Sequence, residues 1–242
     1  MCGIVGGKNL VSIDEFLDFA WDSLKIRGED GFGVIFFDNK LNYLMFKDIN
    51  KENVLIHLKE NKEKIKKYPF FLAHNRKASL GSLINYDLTH PILYKNTILI
   101  HNGTKLILQK LFDMESDSLA IAYLLNELKL KDNGKFIEKI LDKAGIIFGF
   151  KKEERLFIFQ KDKTRSLYFS NKNLIFSSLP LFEDMKKVKE FSFKTKKNFE
   201  DIFSDFKYLD ESETKENVNK KDIDENVNED IFPLNFTKIW RV

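Results

Sequence analysis

The chain has 242 residues, and its 40 Lys and Arg stand against 37 Asp and Glu for a formal net charge of +3, so bulk charge does not favour a polyanionic partner such as nucleic acid. Apolar residues make up 43%, with 24 Phe, which is ample material for a packed core and excludes global disorder. No apolar run approaches the ~18 residues of a membrane span, the N-terminus lacks a basic stretch followed by an apolar one, and a single cysteine excludes an intrachain disulfide framework. These features predict a soluble, cytoplasmic, globular protein with no membrane partner.

The lone cysteine is Cys2. Removal of Met1, expected before a small residue, would place a thiol and a free α-amine on one residue. With a reference pKa of ~7.7–8.0, a useful fraction of that amine is neutral near pH 7. It can accept the thiol proton directly or through one water, activating the nucleophile without a histidine. The alternative is a cysteine packed as a small hydrophobe. Gly3-Ile4-Val5-Gly6-Gly7 reads as a short apolar strand beginning directly behind it.

Ser12-Ile13-Asp14-Glu15 has capping-box spacing, and Phe16, Phe19, Ala20 and Leu24 recur at helical intervals, predicting an amphipathic helix over 12–26 that Gly28 ends. Residues 32–37 and 41–46 flank Asp38-Asn39-Lys40 as a hairpin. The Lys- and Glu-rich stretch 51–67 reads as a surface helix. Strands at 70–73 and 97–100 lead into the polar clusters His74-Asn75-Arg76 and His101-Asn102-Gly103. Helices are expected over 116–130 and 134–144. Four β-rich runs follow, at 145–150, 155–160, 166–170 and 173–177, separated by Lys, Asp and Asn turns. Helices between blocks of antiparallel strands argue for a layered α+β architecture. No nucleotide-binding glycine fingerprint, phosphate loop or paired Cys-x-x-Cys interrupts this pattern.

The end of the chain changes character. Segment 210–230 holds nine acidic residues against three lysines, and Glu-Asn-Val-Asn occurs twice, at 216–219 and 225–228. The expected organisation is a domain over 1–205, an acidic disordered linker over 206–230 and a short apolar segment over 231–242. That last segment either docks back on the body or serves as a partner-binding motif.

Five pieces carry the chemistry: Cys2-Gly3-Ile4-Val5-Gly6, Arg27-Gly28-Glu29-Asp30-Gly31-Phe32-Gly33, His74-Asn75-Arg76-Lys77-Ala78-Ser79-Leu80-Gly81, His101-Asn102-Gly103, and Ser116-Asp117. Singly each is ordinary, since Asn-Gly is a common turn and Asp117 could simply cap a helix. Their order behind a position-2 cysteine resembles the class II glutamine amidotransferases of the N-terminal-nucleophile hydrolase superfamily. The resemblance spans roughly residues 1–180 and looks closest to stand-alone or phage-type members with an Asn-Arg-Lys-Ala-x-x-Gly loop.

The resemblance implies an αββα four-layer sandwich of two antiparallel sheets flanked by helices. It also implies that Cys2 attacks the side-chain amide of glutamine to form a γ-glutamyl thioester. The Asn102 side chain and the Gly103 N–H would hold the oxyanion. Arg76 would grip the substrate carboxylate with two prongs, Asp117 would pair with its α-ammonium, and Ser79 would line the substrate. Arg27, Asp30, His74 and His101 would support the site. Neither a cofactor nor a metal is implied, and the four histidines are not at ligand spacing within one element. Many sugar- and purine-forming members have Trp directly after the arginine and His three positions further on, where this chain has Lys77 and Leu80.

Family members usually fuse this domain to an ammonia-consuming synthase, and no residues after about 205 could form one. A separate synthase taking ammonia in trans is therefore expected. Two further readings stay open, a stand-alone amidohydrolase of other γ-glutamyl amides and a non-catalytic glutamine-binding module.

Overall fold

The structure is a computed structural model that describes residues 2–8, 27–78, 84–162 and 164–209. The chain divides into a compact unit over Met1–Tyr208 and a second stretch over Leu209–Val242. The helix expected at 12–26 lies outside the described residues, as do Ser79 and, from residue 210 onward, the acidic and apolar C-terminal segments.

Twelve strands occur among the described residues: β1 (Gly3–Lys8), β2 (Phe32–Phe37), β3 (Tyr43–Asp48), β4 (Phe70–Asn75), β5 (Ile92–Tyr94), β6 (Thr97–Asn102), β7 (Gly145–Lys151), β8 (Arg155–Lys161), β9 (Tyr168–Ser170), β10 (Ile175–Ser177), β11 (Lys186–Lys187) and β12 (Phe191–Lys196). They form a seven-stranded sheet in the order β11-β9-β10-β1-β4-β2-β3 and a five-stranded sheet in the order β12-β8-β7-β6-β5. Every pairing is antiparallel. The helices are α1 (Lys51–Glu60), α2 (Lys62–Ile65), α3 (Leu106–Leu111), α4 (Asp117–Glu127) and α5 (Gly134–Ile140), and a 3₁₀ turn spans Glu200–Asp205.

Side-chain alternation along the strands explains the layering, because successive residues of a strand point to opposite faces. In the first sheet Ile4, Ile35, Phe37, Phe70 and Leu72 face the same core as Ile98, Ile100, Ile146, Phe148, Phe150, Leu156 and Ile158 of the second sheet. Their neighbours Val5, Val34, Phe36, Phe71 and Ala73 point the other way, onto Val54, Leu58 and Ile65 of α1 and α2. Leu99, Ile147, Phe157 and Phe159 on the outer face of the second sheet meet Ala120, Ile121, Leu124 and Leu125 of α4 and Ile137 of α5. With both faces of each sheet buried, the strands read as near-continuous apolar runs. The result is the expected sandwich, helices on sheet on sheet on helices.

Phenylalanines dominate the inner core. Phe148 and Phe176 stack across the sheets at 4.2 Å, and Phe37 lies 5.3 Å from Phe150 and 5.1 Å from Phe199. Each fully buried ring stabilises the fold by about 1.5–3 kcal/mol relative to exposure.

Element boundaries depart from expectation at defined places. The surface helix breaks at Asn61, which ends α1 and starts α2, with its backbone N–H and side-chain amide both donating to the His57 carbonyl. The α4 helix stops at Glu127 instead of 130 and α5 at Ile140 instead of 144. Elements not read from the sequence are β5, α3, β11, β12 and the 3₁₀ turn.

Candidate active site

The site forms where strand ends of the two sheets meet. Within the first sheet β1 pairs with β4 so that Gly3 faces Asn75, and β2 pairs with β4 so that Phe32 also faces Asn75. Cys2, one residue before β1, thereby lies beside Arg76, one residue after β4. The Ile4 N–H donates to Ser178 Oγ at 3.0 Å, the Ser178 N–H donates to the Ile4 carbonyl at 2.9 Å and the Ser177 hydroxyl donates to the same carbonyl at 3.1 Å. These bonds fix the strand behind the cysteine.

The Cys2 sulfur accepts from the Lys77 N–H at 3.3 Å and its thiol donates to the Lys77 carbonyl at 3.6 Å. Part of the residue remains exposed, yet burial around the sulfur pushes the thiol up from its ordinary value. The Lys77 N–H, the terminal ammonium and Arg76 each pull it down, and Asp117 pushes it up. Cys2 therefore sits in the fields of both Arg76 and Asp117. Loss of the thiol proton would turn the Lys77 carbonyl contact unfavourable and strengthen the N–H contact.

Arg76 is 7% exposed. Burial lowers the pKa of its guanidinium, while Cys2 and Asp30 act in the opposite direction. The turn that carries it is gripped by residues 28–31. Asp30 N–H donates to the Arg76 carbonyl at 3.0 Å, Arg76 N–H donates to the Gly31 carbonyl at 2.8 Å, and Ala78 N–H donates to Asp30 Oδ2 at 2.8 Å.

The second sheet contributes Asn102, the buried last residue of β6, and Gly103 after it. A Cβ at Gly103 would fall 1.8 Å from the Ala144 carbonyl oxygen and 2.9 Å from Gly145 Cα. Close backbone approach to the start of β7 thus demands glycine at this corner. Lys105 N–H donates to Asp117 Oδ2 at 2.7 Å, and Ser118 N–H donates to Asp117 Oδ1 at 2.8 Å. Asp117 is the first residue of α4, with Ser116 as its N-cap accepting from Leu119 N–H, where the helix dipole favours a carboxylate.

Two histidines join these pieces. His74 Nε2 donates to the His101 carbonyl at 3.0 Å and so ties the end of β4 to the end of β6. His101 Nε2 donates to the Ala144 carbonyl at 2.7 Å, and Nδ1 then accepts from the Ser118 hydroxyl at 2.9 Å. One imidazole links the oxyanion corner, the β7 start and the α4 N-terminus. Burial holds the His74 pKa down at about 3.

Of the residues singled out in the sequence, Cys2, Asp30, His74, Arg76, His101, Asn102, Gly103 and Asp117 converge here. Arg27 is half-buried beside Tyr168 and Arg165. The sequence gave no sign of Lys77 N–H, Lys105 N–H, Ser118, the Ala144 carbonyl or buried His90, whose ring lies 4.0 Å from that of His74. Among the described residues no group of three His, Cys, Asp or Glu could hold a metal ion, and no helix is long and apolar enough to cross a membrane.

No family model matches the chain. Glutamine–fructose-6-phosphate aminotransferase [isomerizing] from Buchnera aphidicola is 33% identical over 150 residues, covering 58% of this chain and 24% of that enzyme. The same enzyme from Aliivibrio fischeri is 28% identical over 150 residues, with the same coverage. A solved glutamine phosphoribosylpyrophosphate amidotransferase from B. subtilis, complexed with ADP and GMP, superposes with a TM-score of 0.56 at 16% identity, over 81% of this chain and 49% of that one. The chain has the fold of the class II glutamine amidotransferases and is related to them in sequence. A structure of the allosteric regulatory enzyme of purine biosynthesis agrees, with a TM-score of 0.57 at 18% identity, over 81% of this chain and 48% of that one. The chain spans about a quarter of the length of the curated amidotransferases it matches.

Proposed function

We propose that this chain is a cytoplasmic glutaminase subunit of the stand-alone, phage-like type of class II amidotransferase, with Cys2 as its N-terminal nucleophile and a separate synthase as the acceptor of its ammonia. The observation that carries this reading is the placement of the Cys2 sulfur on the Lys77 N–H within the fields of Arg76 and Asp117, with the Asn102-Gly103 corner tied to the same cluster through His74 and Lys105.

Once Met1 is removed, the α-amine of Cys2 takes the thiol proton and the sulfur attacks the side-chain amide carbon of glutamine. The carbonyl oxygen gains negative charge that the Asn102 amide and Gly103 N–H stabilise, and removing one such donor typically costs ~2.7–4 kcal/mol. The amine returns its proton to the departing nitrogen, ammonia leaves and a γ-glutamyl thioester remains. Water then attacks the thioester, releasing glutamate and the thiol. Arg76 pairs with the substrate carboxylate and Asp117 with its ammonium, so the amino-acid head group sets the register of the amide against the sulfur. Ser79 completes the lining, and Arg27, Asp30, His74 and His101 hold the elements.

Ammonia at neutral pH is mostly ammonium, which is not a nucleophile, so a partner that takes it directly is the productive arrangement. The domain proper is assigned to 1–205, leaving 206–230 as linker and 231–242 as a terminal segment. Intact-mass measurement should show loss of Met1, and purified protein should release glutamate from glutamine while Cys2→Ala does not. Retention of Met1 in active protein, or equal turnover by Cys2→Ala, would remove the basis of the proposal. Comparing glutamine with bulkier γ-glutamyl amides tests the donor, since exposed Lys77 stands where many relatives have Trp.

A further inference from the structure

The turn that supplies the Lys77 N–H is held from a direction that the substrate reading does not use. Residues 28–31 reach across to 76–78 by three hydrogen bonds of 2.8 to 3.0 Å, and one of them ends on a side chain, Asp30 Oδ2, which accepts from the Ala78 N–H. At Gly28 the contact is steric. A Cβ there would lie 2.4 Å from the Arg76 carbonyl oxygen and 2.7 Å from Lys77 N, the atom that faces the sulfur. The peptide carrying the donor is therefore clamped on both sides, by the Gly28 backbone and by the Asp30 carboxylate.

We propose that Asp30 and Gly28 are positioning residues for the nucleophile: together they aim the Lys77 N–H at Cys2 Sγ and so set how readily the thiolate forms. This rests on Cys2 being the nucleophile. Three charged groups act on the sulfur, namely Arg76, the terminal ammonium and Asp117, and Asp30 is not among them. After burial, the Lys77 N–H contact has the largest influence on the thiol, and it favours the thiolate. Asp30 itself acts on the Arg76 guanidinium. The sign of a mutational effect separates the two routes. If the Asp30 charge acted directly on the sulfur, its removal would lower the thiol midpoint. If Asp30 works by holding the turn, its removal raises the midpoint.

The test measures the second-order rate of Cys2 alkylation by iodoacetamide against pH, in Met1-processed full-length protein without glutamine. Asp30→Ala should raise the midpoint by about one pH unit, since a hydrogen bond to a charged group is at stake. Asp30→Asn keeps an acceptor for the Ala78 N–H and should stay close to wild type. Gly28→Ala leaves the carboxylate in place, crowds the Lys77 nitrogen and should raise the midpoint in the same direction. If Asp30→Ala does not fold, the contrast between Asp30→Asn and Gly28→Ala decides. Wild-type midpoints in both Asp30→Ala and Gly28→Ala, or a lowered midpoint in Asp30→Ala, would overturn the inference while leaving a reactive Cys2 intact. A wild-type Cys2 that shows no alkylation would instead remove the nucleophile reading itself.

Discussion

The two stacked histidines beneath the site predict an acid-sensitive fold. His74 and His90 are fully buried, and their rings are 4.0 Å apart. Among the described residues, His74 Nδ1 and both nitrogens of His90 have no hydrogen-bond partner. The groups that act on His90 are His74, His101, Arg76 and Lys47, none of them a carboxylate. Burial holds His74 at about 3 and His90 well below its ordinary 6.5. Above pH 6.5 both states leave these rings neutral and the pair has no effect on stability. Between 6.5 and about 3 the unfolded chain binds protons that the folded chain refuses, so stability falls as pH drops through that window.

At pH 5 the unfolded state lies 1.5 units below the ordinary histidine value, worth about 2 kcal/mol per ring. Two such rings account for about 4 kcal/mol out of a typical total of about 5–15 kcal/mol. Urea unfolding at pH 7.5 and pH 5.0, for wild type and His90→Phe, measures the effect. Carboxylates add their own acid dependence equally to both proteins, so the informative quantity is the difference between them. Phenylalanine keeps a flat ring against His74 and cannot titrate. Its stability should therefore fall by about 2 kcal/mol less than wild type between the two pH values. An identical fall in both proteins would refute the claim that His90 is held neutral by burial.

Gly103→Ala should destabilise the fold by roughly 1–3 kcal/mol and sharply lower glutamine turnover, because its Cβ would meet the Ala144 carbonyl at 1.8 Å; thermal unfolding and a glutaminase assay check both. Arg76→Lys keeps the charge but not the fork, and should raise the glutamine KM about 10- to 100-fold, with a smaller change in kcat. Asp117→Asn keeps an acceptor for the Lys105 N–H while removing the charge that pushes the Cys2 thiol up. It should raise the glutamine KM about tenfold or more while alkylation of Cys2 by iodoacetamide is no slower, and slower alkylation would assign Asp117 to scaffolding alone.

The sandwich was legible because most strands are long apolar runs buried on both faces, and runs such as Phe32–Phe37 and Gly145–Lys151 carry that signal directly. Elements with weaker patterns were not. The β5 edge strand has three residues. The α3 helix, Leu106–Leu111, buries only Leu108 and leaves Leu106, Ile107 and Leu111 exposed, so its composition does not announce a face. The alternation Phe191, Phe193 in β12 was a readable signal, though the strand shifts register against β8 between Phe191 and Lys194. In the site, Cys2, Arg76, Asn102 and Asp117 stood out as polar residues at strand ends and a helix start. Lys77 and Lys105 did not, because they act through backbone N–H groups that every non-proline residue carries. His90 has no periodic signature, since it becomes part of the site only by folding of the 85–91 loop against β2 and β4.

That division bears on which positions tolerate change. A role performed by a main-chain N–H leaves its side chain free, so Lys77 can stand where many relatives have Trp without moving the donor to Cys2. The constraint passes instead to the residues that place the peptide. Gly28 is confined because Lys77 N lies 2.7 Å from where its Cβ would be, Gly103 because the Ala144 carbonyl occupies the same space, and Asp30 because Ala78 N–H requires an acceptor. A chain only 33% identical to an amidotransferase relative over the matched region can thus retain a similar arrangement of donors, provided the substitutions fall on side chains and spare the few positions at which backbones touch.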